Sequence, residues 1–99
     1  MTDFKKRRVE LISADRLCTQ GRQLRWRTQK PAGLAAAARL LEQAAKLYQR
    51  ASLGETARLV WLEAATCHEA GQARTHAERC EREAKAIPEY WTFRKEQTL

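Results

Sequence analysis

Apolar residues recur along most of this chain at three- and four-residue spacings, the period of an α-helix rather than of a strand. Over about residues 4–19, Phe4, Arg8, Leu11, Ile12 and Asp15 alternate in register with Val9, Arg16 and Leu17, so one face is apolar and the other basic. Asp3 is placed to cap this helix, and Gly21 to end it in a left-handed conformation. Residues 22–30, Arg-Gln-Leu-Arg-Trp-Arg-Thr-Gln-Lys, have no clear period and read as a basic linker, either an extension of the first helix or irregular chain.

Pro31 suits the first turn of a second helix, where its missing N–H costs nothing. The run from Leu34 to Tyr48 is dense in strong helix formers, with Leu34, Ala37, Ala38, Leu41, Ala44, Ala45 and Tyr48 as its buried stripe. So many alanines predict a close approach to a neighbouring helix. Ser52-Leu-Gly-Glu55 has the form of a capping box and predicts a third helix to about Ala70. Its stripe is Ala57, Val60, Trp61, Ala64 and His68, and Gly71 is its expected stop. A fourth helix follows from about Gln72 to Ile87, with Ala73, Ala77, Cys80, Ala84 and Ile87 on a narrow 4-3-4-3 seam and Pro88 as terminator. The expected fold class is all-α: a small helical bundle with a basic N-terminal helical arm (1–30), a helical core (31–88) and an aromatic C-terminal tail (89–99).

Leu41, Ala44, Ala45, Tyr48, Ala57, Trp61 and Ala64 follow the spacing of a tetratricopeptide-type helix pair. Small residues at 45 and 57 let two antiparallel helices cross closely, and Tyr48 and Trp61 fill the space beside the crossing. No second copy follows, so the expectation is a single hairpin with the fourth helix as its cap, through Ala77 and Cys80.

Four segments in the same stretch carry a family resemblance. They are Ala45-Lys-Leu-Tyr48, Gly54-Glu55-Thr-Ala57, Val60-Trp61-Leu62-Glu63-Ala64-Ala65 and Arg74-Thr-His-Ala77-Glu78-Arg79-Cys80. Together they resemble the ANR group of small bacterial and phage regulators and the neighbouring PerC-type activators. The likeness covers about residues 44–80 and departs at Arg79-Cys-Glu-Arg82, where those proteins have an Arg-rich run followed by Cys. It implies a regulator of transcription that binds an AraC-type activator, another regulator or DNA, and it implies no catalysis.

Charge sharpens the picture at the N-terminus. The chain has 99 residues and a net charge of +7, yet residues 1–30 hold nine Lys and Arg against three acids. Nearly all the excess therefore sits in the first third, as in arms that meet anionic surfaces. Lys5, Lys6, Arg7, Arg8, Arg22, Arg25, Trp26, Arg27 and Lys30 are the candidate nucleic-acid contacts, with Trp26 set between two guanidinium groups so that it can stack on a base. The plain alternative is a solvated charged face with Trp26 tucked against the bundle. Tyr90, Trp91 and Phe93 in the tail either cover one end of the bundle or bind a partner.

Other chemistries find less support. Cys67, His68, His76 and Cys80 are the only cluster of metal-ligand types, but without short Cys-x-x-Cys spacing, so no metal or other cofactor is expected. With two histidines, no phosphate-binding glycine loop and no nucleophile elbow, the chain does not read as an enzyme. No apolar run approaches the length of a membrane span, and three cysteines without framework spacing suit a reducing compartment, so a cytoplasmic protein is expected. The leading expectation is a small non-enzymatic regulator that contacts a transcription factor or other regulator. The alternatives are a DNA- or RNA-binding protein that uses the basic arm, and a helical adaptor or homo-oligomer.

Overall fold

The computed structural model describes residues 2–88, with side chains from residue 5 onwards. The Tyr90, Trp91 and Phe93 tail lies outside the described residues. Four helices account for almost all of the described chain, and no strand occurs among them: α1 (Thr2–Arg27), α2 (Pro31–Arg50), α3 (Gly54–Ala70) and α4 (Arg74–Ala86). They pack in chain order, α1 on α2, α2 on α3 and α3 on α4. The all-α class is as the periodicity predicts.

The first helix departs most from its sequence pattern. It begins at Thr2, so Asp3 lies inside it rather than capping it, and it runs through Gly21 and the whole of residues 22–27. Gly21 is buried at a close approach of α1 to α2: a Cβ there would stand 3.0 Å from Leu41 Cγ and 3.2 Å from the Ala37 carbonyl oxygen. The glycine is there for space. The buried seam of α1 is Ala14, Cys18 and Gly21, flanked by half-buried Leu11, Leu17 and Leu24. Val9 and Ile12, expected on the apolar face, are 62% and 53% exposed. Small residues therefore form the buried stripe, Leu11 and Leu17 pack against the core at its edges, and Val9 and Ile12 lie off it.

The second helix starts at Pro31 as expected, and its whole predicted stripe is buried. Thr28 Oγ1 accepts the Lys30 N–H at 3.2 Å where the chain turns into it. Ala45, Ala57 and Ala64 are completely buried, in one core cluster with Leu41, Tyr48 and Trp61. The indole N–H of Trp61 donates to Gln49 Oε1 at 2.8 Å, and the Tyr48 hydroxyl donates to Asp15 Oδ1 on α1. Each buried ring thus keeps a partner for its polar tip. Ala77, Cys80, Ala84 and Ile87 close the core from α4, and Ala73 is half-buried at its start.

The capping box at Ser52 is not made. Ser52 has φ 65°, and α3 begins at Gly54 after Leu53, with no side-chain cap. The turn is instead a Schellman motif that closes α2. The Leu53 N–H reaches the Tyr48 carbonyl at 2.9 Å and the Ser52 N–H reaches that of Gln49 at 3.0 Å. The α3–α4 turn repeats it: Ala73 N–H to His68 at 2.7 Å and Gln72 N–H to Glu69 at 3.0 Å, with Gln72 at φ 63°. Gly71 is the C-cap of α3, as its place in the sequence predicts, but the left-handed position falls one residue later. This moves the start of α4 from Gln72 to Arg74.

Candidate functional site

Two features of this array carry chemistry. The first is the outer face of α1. Only α2 packs broadly along this helix, so the side away from Ala14, Cys18 and Gly21 is open among the described residues. Lys5, Val9, Ile12, Arg16, Thr19, Gln23 and Arg27 run along that side at three- and four-residue spacing, and all are exposed. Lys6, Arg8 and Lys30 are exposed as well. Trp26 is 88% exposed, between half-buried Arg25 and exposed Arg27. Its ring is thus not tucked against the bundle, and it lines a cavity with Arg25, Thr28, Gln29, Leu34 and Ala70.

Two of the candidate cations have work inside the molecule. Arg7 donates through Nε to the Ala51 carbonyl at 2.7 Å, tying α1 to the α2–α3 turn. Arg22 makes a two-pronged pair with Glu63 on α3, Nε to Oε2 at 2.9 Å and Nη2 to Oε1 at 2.6 Å. The structure therefore leaves Lys5, Lys6, Arg8, Arg27 and Lys30 of the predicted contacts facing solvent, and adds Arg16 to them.

The second feature is a buried polar cluster joining α2, α3 and α4. The sequence suggests that Glu42 pairs with Lys46 one turn on and Glu78 with Arg82. Glu42 instead points inward, 7% exposed, and takes His68 Nε2 at 2.6 Å on Oε2 and Arg79 Nη2 at 2.8 Å on Oε1. Glu78 meets Arg74 at 3.3 Å on the surface. Burial alone would raise the Glu42 carboxyl, but hydrogen bonds from His68 and Arg79 outweigh it and hold the group below the usual carboxylate range. Burial, reinforced by the neighbouring Glu42 charge, pushes the Cys80 thiol up to about 12.

One ligand atom from each of Glu42, His68 and Cys80 lies within 4.8 Å of the other two. His76, one turn before Cys80 on α4, stacks on His68 with ring centroids 5.1 Å apart. Of the four ligand types clustered in the sequence, the structure brings His68 and Cys80 to Glu42 and stacks exposed His76 on His68, while Cys67 lies in the apolar core. Glu42 was legible as a buried position, since it lies four residues after Ala38 and three before Ala45 on the buried stripe of α2. Its charge hid it.

All three cysteines are free and buried, and desolvation raises the Cys18 and Cys67 thiols too, so the thiol switch that the sequence allows at Cys18, near Arg16, lacks an activated thiolate. No described helix is long and apolar enough to cross a membrane. Comparison with family models, with curated proteins and with solved structures finds no match to this chain.

Proposed function

We propose that this chain is a small non-enzymatic regulator that binds an acidic, partly apolar surface of a protein partner through the outer face of α1. The observation that carries the reading is the pair Val9 and Ile12, exposed on a helix face that no described residue covers and bracketed by Lys5 and Arg16. Burying two such side chains contributes about 1.5–3 kcal/mol each, and flanking cations steer an acidic partner and set its register. A partner helix with an apolar stripe edged by Asp and Glu has the matching chemistry. The likeness of residues 44–80 to small bacterial regulators makes a transcription factor or another regulator the partner of choice. We read the α2–α3 hairpin as tetratricopeptide-like in packing and as the platform that holds α1. A cytoplasmic setting belongs to the same reading, since three buried free thiols suit a reducing compartment.

A second reading, nucleic-acid binding, is favoured by Trp26, whose exposed ring beside Arg25 and Arg27 is available for stacking on a base. One experiment separates the two. Labelled acidic amphipathic peptides and a labelled DNA duplex are titrated with the full chain and its variants across a range of salt. On the protein-partner reading, Val9→Ser with Ile12→Ser weakens peptide binding tenfold or more, while Trp26→Ala does not. On the nucleic-acid reading the duplex binds with a steep salt dependence, and Trp26→Ala or Arg16→Glu with Arg27→Glu removes it. Peptide binding that ignores the Val9 and Ile12 changes ends the first reading.

A further inference from the structure

We propose that Glu42, His68 and Cys80 bind one divalent transition-metal ion of the zinc type, with His76 as the fourth donor. The site is independent of the α1 face and stands or falls without it. Each of the three donors comes from a different helix, and they are 7%, 3% and 0% exposed, so three segments remote in sequence converge in the interior. The His68 ring supplies the second observation. Its Nδ1 is buried without a hydrogen-bond partner among the described residues, so the ring is held through Nε2 alone, the atom that meets Glu42. His76 and Cys80 are i and i+4 on α4, the spacing at which two side chains of one helix reach a common ion.

The donor set selects the ion. A thiolate with an imidazole and a carboxylate suits zinc and its neighbours, whereas magnesium and calcium take oxygen ligands. Four donors about 3–4 Å apart surround a tetrahedral zinc. The Glu42–His68 contact at 2.6 Å has only to open slightly to admit the ion between them. Arg79 can stay on Oε1 and hold the carboxylate in place from outside the ligand set.

Binding balances simply. Cys80 gives its thiol proton to solvent as the sulfur–metal bond forms, Glu42 binds as the carboxylate, and the histidines bind as neutral rings. Arg39 and Lys46 line the adjoining cavity and oppose a bare dication, but two anionic ligands neutralise it. The metal thus replaces a protonated thiol and the Glu42–His68 hydrogen bond by four bonds, and it clamps α4 onto α2 and α3.

The test is titration of metal-stripped full-length protein with Co2+, then with Zn2+. One equivalent of Co2+ is expected to give the visible bands of a tetrahedral ion and a near-ultraviolet thiolate-to-metal charge-transfer band, both displaced by Zn2+. Zn2+ raises the melting temperature and a chelator reverses the rise. Cys80→Ala removes the charge-transfer band, whereas Cys18→Ala and Cys67→Ala keep it. Should Cys80→Ala fail to fold, the double variant Cys18→Ala/Cys67→Ala, which retains Cys80 as its single cysteine, answers the same question by keeping the band. Absence of the band in the wild type, or its survival in Cys80→Ala, overturns the proposal.

Discussion

Ser52 and Gln72 occupy the left-handed region with φ of 65° and 63°, each at the residue that closes a Schellman turn. A side chain there crowds the following carbonyl, a strain glycine lacks. Neither residue is glycine, and the nearby Gly71 and Gly54 stand one position before and two positions after the strained ones, respectively. Ser52→Gly and Gln72→Gly are each expected to stabilise the fold by about 0.5–1 kcal/mol. For a domain of this size that is a rise of a few degrees in melting temperature by calorimetry. A fall in either variant would mean that the hydroxyl or amide makes a compensating bond. The Ser-x-x-Glu pattern misled for a related reason. The pattern marks where a cap is possible, but whether the serine serves the helix before it or the one after it depends on how the two helices meet.

At the scale of elements, the contact of α1 with α2 teaches the most. Periodicity finds large apolar residues and so puts Val9 and Ile12 inward; the helix instead turns its small residues, Ala14, Cys18 and Gly21, to the partner. Close approach explains the choice, because Leu41 and the Ala37 carbonyl fill the space that a Cβ at Gly21 would take. Gly21→Val is therefore expected to destabilise by roughly 1–3 kcal/mol through overpacking. Chemical denaturation measures this directly, and an unchanged midpoint would show that α1 can lift from α2 at no cost. By contrast α2 and α3 bury the stripes expected of them and α4 all of its own but half-buried Ala73, although Leu59 and Leu62 of α3 stay exposed on the opposite side. The same rotation of α1 that buries its glycine is what leaves Val9 and Ile12 facing outward between cations.

The whole molecule depends on Glu42 as the junction of three helices. Its carboxyl titrates lower in the folded chain than in the unfolded one. The unfolded state therefore binds more protons in the acid range, and the stabilisation is complete above the unfolded value and lost as pH falls through the folded one. Melting temperature should drop on acidification, and Glu42→Gln should flatten that drop while lowering stability near neutrality by about 1–3 kcal/mol. Thermal melts of both proteins across pH test this, and parallel curves would remove Glu42 from the account. The net charge of the N-terminal third remains a feature of the molecule as a whole, because internal bonds use Arg7 and Arg22, Arg25 is half-buried, and Lys5, Lys6, Arg8, Arg16, Arg27 and Lys30 are left to solvent.

The sequence by itself determined the all-α class, the start of α2 at Pro31, the buried stripes of α2, α3 and α4, and the basic excess of α1. These follow from local quantities: helix propensity, apolar period, the fixed φ of proline and the count of charges. The tertiary structure decided which face of α1 is buried, which turn residue is left-handed, and that Glu42, His68, Arg79 and Cys80 meet. Those outcomes depend on how closely two helices approach and on partners far apart in the chain, such as His68 and Glu42, 26 residues apart. A one-dimensional pattern holds the period of each helix but not the distance between two of them.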